Sequence, residues 1–282
     1  MIDPNATITY SHEASVGVQR QLGSTTSVQA DYTYAGGRHE YYNTNMNLTY
    51  DPATGVNYRF SDVTRRAYPA YGLLGIERYD RRSNNHGLET AVTKRFSHRW
   101  QASGTYTLSG YRDAEANPIT FGQQLVPFAV APDLGGEYGL AVGDQRHRAV
   151  LSGIWDAGYG FQLSGLYFYG SGLRLSNNWG GDLRETGDPQ YSGRLRADGA
   201  IVPRNSFVGK PLHRVDVRIQ RRFGLGGRAG VDGILEVFNL FNHANYGSYV
   251  VAQSNARYGQ PNTNSNVAYQ PRTLQLGFRA SF

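Results

Sequence analysis

The chain has 282 residues, a formal net charge of +6 and no cysteine, so disulfides and thiolate metal sites are excluded. Its mean hydropathy is −0.51, and no apolar run is long enough for a membrane-spanning helix. The basic residues are scattered singly, without a helix to carry them, which argues against nucleic-acid binding. Glycine (35 residues) and tyrosine (21 residues) are abundant and suit strands and tight turns better than helices.

Nine segments of about ten residues alternate between apolar and polar side chains, and successive side chains of a strand point to opposite faces. In chain order they lie in EASVGVQRQL, SVQADYTYAG, HGLETAVTKRF, WQASGTYTLSG, HRAVLSGIWDA, FQLSGLYFYG, HRVDVRIQRRF, VDGILEVFNLFN and LQLGFRASF. The alternation is noisier in EASVGVQRQL and HGLETAVTKRF, and the inner faces of HRAVLSGIWDA and VDGILEVFNLFN are partly apolar. About ten residues is the length that a tilted strand needs to cross a bilayer, whereas strands of soluble proteins are mostly about five or six residues long. The pattern therefore predicts nine membrane-crossing strands.

The connections between these segments alternate in length. The short ones read LGSTT, FSHRW, AGYGF and FGLGGR, and the long ones span about 38–84, 112–144, 172–211 and 242–270. This alternation is typical of an outer-membrane barrel with tight periplasmic turns and long extracellular loops. Residues 71–82 (YGLLGIERYDRR) also have an extended pattern, and we expect them to form a strand that pairs above the bilayer, within the first long loop.

The closing strand, LQLGFRASF, determines which face is which. Leu276 and Phe278 lie on its apolar side, together with Leu274, Ala280 and Phe282, while Gln275 and Arg279 lie on the other. Turned over, the strand would place Arg279 in hydrocarbon, at a cost of about 2–4 kcal/mol near the midplane. The polar side is therefore expected to face the lumen. The same alternation adds further lumen-facing candidates, namely Arg214, Asp216, Arg218, Gln220, Arg222 and Glu236.

The predicted fold class is all-β: an antiparallel up-and-down transmembrane β-barrel, of which the chain supplies a partial wall. Bacterial single-chain barrels usually have an even number of strands, with both ends in the periplasm. Nine strands do not satisfy that rule. We therefore expect residues 1–282 to be the C-terminal portion of one larger barrel domain, with the first and last strands as unpaired edges.

Chemical motifs are weak. GLGGRAG (224–230) has the spacing of a dinucleotide loop, but a strand follows it where a helix is needed, so a tight turn is favoured. YGSG (169–172) lacks the strand–elbow–helix setting of a nucleophilic serine. The seven histidines show no zinc spacing. No metal, cofactor or catalytic residue is predicted.

Two polar groups of side chains have alternative interpretations. Asp216, Asp232 and Glu236 could form a general acid–base pair, but with Arg218, Arg222 and Arg279 nearby a charge ladder on the barrel wall is favoured. NLFNHANY (239–246) could stack sugars or contact peptides, although an aromatic girdle and a well-hydrogen-bonded loop base is the favoured interpretation. Its candidate contact residues are Asn239, Phe241, Asn242, His243 and Tyr246.

Several blocks of the sequence resemble TonB-dependent outer-membrane receptors, most closely the Oar-like group. They are LEVFNLFNHANY (235–246), the closing LQLGFRASF, QRHRAVLSGIW (145–155), RNSFVGKPLHRVDVRIQRRFGL (204–225) and SNNHGLETAVTKRFSHRWQASGTYTLS (83–109). The resemblance implies that the barrel-assembly machinery reads the last strand, through Leu274, Leu276, Phe278 and Phe282. It also implies a barrel of 22 strands, of which the chain would hold roughly the last two-fifths. Signal peptide, plug domain and early strands would then be absent from it.

The resulting expectation is a barrel segment in the outer membrane of a Gram-negative bacterium. It would form wall and extracellular loops for binding and energised transport of a large solute. Its partners would be outer-membrane lipid, the barrel-assembly machinery and, through the missing N-terminal part, the plug and the TonB complex. One alternative is a small closed barrel enzyme of the protease or phospholipase type, which needs residues 71–82 as a tenth crossing strand. Another is a secreted β-sandwich binding module, whose apolar faces would cover each other.

We expect deletion of Phe282, in the full-length protein, to impair assembly far more than deletion of a residue from a long loop. The resemblance makes the final aromatic part of the assembly signal, and the loop residue has no such role. The measurement is the amount of heat-modifiable protein in the outer membrane. An unchanged amount after deletion of Phe282 would contradict the assignment.

Overall fold

The computed structural model describes residues 3–48, 50–114, 134–187, 193–227, 229–262 and 270–282. Within these ranges the regular structure is β, apart from two single-turn 3-10 helices, Val63–Arg65 and Leu134–Glu137. No helix in the described part is long and apolar enough to cross a bilayer.

Nine long strands and three two-residue strands follow each other along the described chain. The long strands are β1 (Tyr10–Leu22), β2 (Thr26–Asn45), β3 (Gly75–Ser97), β4 (Trp100–Asp113), β6 (His147–Gly158), β7 (Phe161–Gly170), β10 (Leu212–Gly226), β11 (Ala229–Phe238) and β12 (Thr273–Ser281). The short ones are β5 (Gly139–Leu140), β8 (Arg174–Leu175) and β9 (Phe207–Val208). All nine predicted strands are present in the predicted order.

The long strands form one antiparallel sheet in the order β1-β2-β3-β4-β6-β7-β10-β11-β12, so each long strand pairs with the next one along the chain. β5 pairs with the end of β4, and β8 pairs with β9 in a separate ribbon. Within the described residues β1 and β12 do not pair with each other. The predicted all-β, up-and-down partial wall is confirmed.

Residues that lie directly opposite each other on neighbouring strands share a face of the sheet. The alternation of apolar and polar side chains therefore continues from strand to strand across the whole sheet. Near one edge, Tyr32 lies opposite Val16 and Leu88. Near the other edge, Leu276 lies opposite Leu235. We call this surface the apolar face. The reverse surface, the polar face, carries pairs such as Asp31–Glu89, Thr107–Arg148, Arg218–Glu236 and Glu236–Gln275.

The apolar face is uncovered in the described part of the chain. Val16, Leu151 and Leu276 lie at one edge, in the middle and at the other edge of the sheet, with 69%, 51% and 81% of their surface exposed. In a β-sandwich a second sheet would pack against such residues at a spacing of about 10 Å. The exposure therefore contradicts the sandwich alternative, whereas a bilayer would supply the missing apolar partner.

Short turns join the strands at one end of the sheet. His98 and Arg99 connect β3 to β4 with φ values of 51° and 69°, and Tyr159 and Gly160 connect β6 to β7 with 51° and 78°. Positive φ at both central residues is the signature of the type I′ hairpin, whose twist matches that of the strands. GLGGRAG is likewise a turn, since β10 ends at Gly226 and β11 begins at Ala229.

At the other end, β2 and β3 extend beyond the predicted boundaries. Asn45 pairs with Gly75 and Arg38 with Arg82, so the first long loop spans 46–74 instead of 38–84. Residues 75–82 do pair above the other strands, as expected of segment 71–82, but they continue β3 and do not form a separate strand. The small barrel enzyme requires a tenth crossing strand there, and the structure has none among its described residues. The register shifts between Arg38 and Tyr42 blur the alternation in this part of the sequence.

The long loops pack into a layer with its own core. We call the described residues of 46–74, 134–146, 171–211 and 239–262, with the strand ends that they contact, the loop layer. The buried apolar residues of the described chain lie here, namely Tyr42, Tyr50, Phe60, Ala114, Ala141, Leu195, Val202 and Tyr249. The buried apolar core is thus concentrated above the sheet, whereas the apolar side chains of the strands lie exposed on the apolar face.

We expect Leu276→Arg to destabilise the barrel by about 2–4 kcal/mol, because it places a charge in hydrocarbon. Gln275→Arg is the matched control, since the neighbouring side chain lies on the polar face opposite Glu236. The measurement is the free energy of unfolding in lipid vesicles. Equal losses for the two variants would contradict the assignment of the faces.

Candidate functional site

The eight predicted lumen-facing residues lie on the polar face, on the adjacent strands β10, β11 and β12. They are Arg214, Asp216, Arg218, Gln220, Arg222, Glu236, Gln275 and Arg279. The register places Glu236 between Arg218 and Gln275. Asp232, which is 6% exposed, lies between Arg222 and Arg279 in the same way. That these side chains face a lumen stays a prediction.

Most carboxylates of this ladder are bound by arginine. Arg214 Nη2 lies 2.7 Å from Asp216 Oδ2, and Arg218 Nη1 lies 3.8 Å from Glu236 Oε1. Arg218 Nη2 also donates a hydrogen bond of 3.0 Å to Gln220 Oε1. The contacts favour the charge ladder over a general acid–base pair.

A cavity of about 540 Å³ opens on the polar face beside the ladder. Its lining includes Asp216, Arg218 and Glu236 from the ladder, and Ser103 and Ser152 from β4 and β6. The two serine hydroxyl oxygens lie 2.8 Å apart and are hydrogen-bonded. Sequence reasoning missed these serines as site residues, although both occupy polar positions of alternating strands, which was the available signal.

The loop base after β11 is held by Asn239, which is 2% exposed and has a φ of 52°. Its Nδ2 donates hydrogen bonds of 3.0 Å to the carbonyl oxygens of His243 and Gln270, and its Oδ1 accepts one of 2.9 Å from His243 N. Its own N–H donates to Asp216 Oδ1 at 2.9 Å. The side chain of Asn239 thus joins both ends of the loop, and its backbone N–H group links them to the charge ladder.

The other loop-base candidates divide into structural and exposed groups. Asn242 Oδ1 accepts a hydrogen bond of 2.9 Å from Arg272 N, and the His243 ring packs edge-on against that of His213 at 5.1 Å. Tyr246 is half-buried below the Lys210 ammonium group. Phe241 is 75% exposed. Asn242, His243 and Tyr246 take part in contacts at the loop base, although Asn242 and His243 are exposed. The role of these candidates as solute contacts stays a prediction.

Asn245 is a structural residue that the candidate set did not include. Its Oδ1 accepts a hydrogen bond of 2.7 Å from His213 N, and its Nδ2 donates one of 2.8 Å to His213 O. The amide side chain therefore pairs with the start of β10 as another strand would. The sequence did contain an indication of this role, because Asn245 is one of three asparagines in NLFNHANY.

The predicted assembly signal lies on the free edge of the sheet. Leu274, Leu276 and Phe278 are 66%, 81% and 83% exposed on the apolar face of β12, and Phe282 follows the strand fully exposed. This placement makes the apolar row accessible to a partner. That the barrel-assembly machinery reads it stays a prediction.

A buried ion network holds together three segments of the loop layer. Arg204 Nη2 donates to the backbone and side-chain oxygens of Asp113, and its Nε donates to Glu137 O at 2.8 Å. Arg194 Nη1 lies 2.7 Å from Glu137 Oε2, and Arg194 Nε donates to Val202 O at 2.8 Å. The Arg204 and Asp113 side chains are 3% and 8% exposed. This network had no signal in the sequence, because the loops have no periodic pattern.

A second buried arginine joins the first long loop to the third. Arg184 is fully buried, its Nη2 donates to Asn57 Oδ1, and its carbonyl oxygen accepts a hydrogen bond of 2.5 Å from Phe60 N. Burial lowers the pKa of Arg184 to about 10, and the nearby cation of Arg194 acts in the same direction. The loop layer therefore carries buried cations that depend on fixed polar partners.

The described residues contain no group of three or more histidine or acidic side chains placed to hold a metal ion. The geometry presented by the structure is instead a polar wall below an ordered layer of loops. A family model described as an outer membrane beta barrel domain matches residues 1–200 and 196–275. The chain belongs to the outer membrane β-barrel domain family. This barrel domain lies in the outer membrane of a Gram-negative bacterium.

Two solved structures from Escherichia coli are similar to the barrel domain. One is the ferric-catecholate import receptor Fiu in its closed form, with 15% identity and a TM-score of 0.50 over 97% of this chain and 28% of that one. The other is the outer membrane transporter YddB, with 10% identity and a TM-score of 0.47 over 97% of this chain and 32% of that one. The chain therefore spans less than a third of either protein. The likeness to Fiu shows a shared fold. No curated protein sequence matches the chain significantly.

We expect Arg204→Met to destabilise the loop layer of the barrel domain by about 3–5 kcal/mol, because it leaves the Asp113 carboxylate buried without its cation. Arg59→Met is the matched control. Its ion pair with Glu185, at 3.0 Å, is exposed and contributes about 0–1 kcal/mol.

The measurement is thermal unfolding of the protein in outer-membrane vesicles, together with trypsin cleavage of the loops. The double change Arg204→Met with Asp113→Leu is expected to recover much of the loss, because the Asp113 carboxylate is then no longer buried without its cation. Equal effects of Arg204→Met and Arg59→Met would contradict a structural role for the network.

Proposed function

We propose that the chain is the C-terminal part of the barrel of a TonB-dependent receptor of the Oar-like group, and that it takes part in binding and energised transport of a large solute. Residues 1–282 then form one portion of a barrel domain whose plug and early strands belong to the rest of the receptor. The single observation that carries the proposal is the polar wall, with its charge ladder and cavity, directly below an ordered loop layer.

The open sheet supports a larger barrel. β1 and β12 are both edges within the described residues, and each unpaired backbone group in hydrocarbon costs several kcal/mol. Additional strands that pair with both edges would remove this cost. The likeness in fold to Fiu, of which the chain covers 28%, is consistent with such an arrangement.

The charge ladder supports a wide, water-filled lumen. Arg214, Arg218 and Glu236 remain partly exposed although they are paired, so they are available to a plug domain or to a passing solute. A polar interior is typical of outer-membrane barrels that carry a channel or a plug. In this proposal the ladder contacts the plug, and the plug provides the connection to TonB.

The loop layer supports a solute-binding role at the cell surface. Its buried arginines join different loops, so the loops form a preorganised surface with little conformational entropy left to lose on binding. Exposed aromatic residues on that surface, such as Phe241 and Tyr71 with 75% and 59% exposure, offer stacking area for a solute. Import is the direction we propose, because the ordered loops present their surface outward.

We expect cells that express the whole receptor to deplete at least one large solute from a defined mixture of peptides, oligosaccharides and ferric chelates, and to do so only when TonB is present. Arg218→Met combined with Glu236→Gln should lower this depletion several-fold, because both side chains line the polar-face cavity. The amount of heat-modifiable receptor should not change.

Gln29→Ala is the matched control, since this polar-face residue lies on β2, outside the cavity lining. Mass spectrometry of the medium gives the readout. Depletion that is independent of TonB, or a loss as large with Gln29→Ala as with the double variant, would contradict the proposal.

A further inference from the structure

Tyrosine–histidine pairs recur where the strands meet the loop layer. The hydroxyl oxygen of Tyr32 lies 2.7 Å from His86 Nδ1, and that of Tyr106 lies 2.8 Å from His147 Nδ1. A third pair, Tyr167 and His213, has the same contact at 3.1 Å. Each pair bridges two neighbouring strands, so the three pairs together span six strands of the sheet.

The pairs lie on the apolar face. Tyr32 is in register with Leu88, and His86 is in register with Tyr34 and Gly110, all on that side of the sheet. Aromatic side chains with a polar end concentrate where a bilayer meets water, because the ring is apolar and the hydroxyl group is hydrated. The position of the tyrosine–histidine pairs is therefore the one expected at the outer boundary of the hydrocarbon layer.

A cavity of about 380 Å³ opens on the apolar face at this level, over β3 and β4. Tyr32 and His86 line it together with Leu88, Leu108, Arg112 and Arg146. The leucines lie on the bilayer side of the histidine, and the arginines lie towards the loops. The cavity thus has an apolar end towards the bilayer and a cationic end towards the loops.

The side chain of Arg146 lies over Gly110. A Cβ atom at this position would lie 3.6 Å from Arg146 Cζ, so the guanidinium group passes over the glycine on the apolar face. Arg112, two residues further along β4, is on the same face opposite Asn84. The register places Arg112 on the apolar face, and the proximity to Gly110 places the guanidinium group of Arg146 on the same side of the sheet.

The charge at this end of the cavity is not balanced. None of the lining residues is acidic. Arg146 Nη2 has one carboxylate nearby, Asp144 at 3.8 Å, and that carboxylate is shared with Arg174 at 3.7 Å. Arg112 is exposed and forms no ion pair with any described residue. Two partly exposed arginines therefore provide excess positive charge at the membrane boundary.

We propose that this cavity binds the phosphorylated headgroup of a lipid of the outer leaflet. Arg112 and Arg146 bind the phosphate, and the acyl chains extend over Leu88 and Leu108. Guanidinium groups are well suited to phosphate because their planar donors form two parallel hydrogen bonds. A solute inside the barrel would lie on the polar face, which is the predicted lumen side, and not at this cavity. The proposal rests on the membership in the barrel family and is independent of transport.

The test uses the complete receptor, purified in detergent and titrated with lipid A that carries its phosphates, with dephosphorylated lipid A and with inorganic phosphate. Native mass spectrometry counts the bound lipid. We expect the double variant Arg112→Ala with Arg146→Ala to bind phosphorylated lipid A at least tenfold more weakly than the wild type. Arg65→Ala with Arg257→Ala removes the same charge from exposed loop positions and is the matched control.

A second variant, Gly110→Leu, keeps both arginines and places a bulky side chain where the Arg146 guanidinium group lies over the strand, so it is expected to lose the lipid as well. Removing the phosphates from lipid A should weaken its binding to the wild type as much as the two arginine substitutions weaken the binding of phosphorylated lipid A. Undiminished binding by the double variant, or an equal loss in the control, would overturn the proposal. Inorganic phosphate that binds as tightly as the lipid would also overturn it, because the site would then be one for free phosphate.

Discussion

The backbone of a chain in hydrocarbon has only its neighbouring strands as hydrogen-bond partners, and the rest of this structure depends on that constraint. Each long strand is paired in register with the next one along the chain, so its donors and acceptors are satisfied without water. The type I′ turns, such as His98–Arg99, keep adjacent strands together with few residues between them. Only the outer edges of β1 and β12 lack such a partner among the described residues.

Above the membrane, side chains supply the hydrogen-bond partners that the irregular backbone lacks. Asn245 pairs with both backbone groups of His213, Asn239 joins the two ends of its loop, and Arg204 reaches the carbonyl oxygens of Asp113 and Glu137. Amide and guanidinium groups offer several donors in a fixed geometry, which suits irregular backbone. The apolar core of the described chain has therefore formed among the loops, where water is the alternative environment.

The strands and their faces could be predicted from the sequence because each crossing strand has one apolar and one polar environment. A period of two, as in the strand of Leu276 and Gln275, reports these environments directly. The upper parts of β2 and β3 were harder to predict, since register shifts near Arg38 and Tyr42 interrupt the period. The charge ladder followed from the alternation. The pairing of Asp113 with Arg204 did not, because it joins residues 91 positions apart through loops without any repeat.

Asp216 receives hydrogen bonds from two different parts of the molecule. Arg214 on the wall binds its carboxylate, and so does the N–H group of Asn239 at the base of the last long loop. If that loop moves away from the sheet, the carboxylate loses the N–H donor of Asn239 and depends more strongly on the guanidinium group of Arg214. In thermodynamic terms the position of the loop and the charge distribution along β10 are linked variables, and a change in either has a free-energy effect on the other. A single carboxylate thus provides a mechanical connection between the base of the last long loop and the polar face of the sheet.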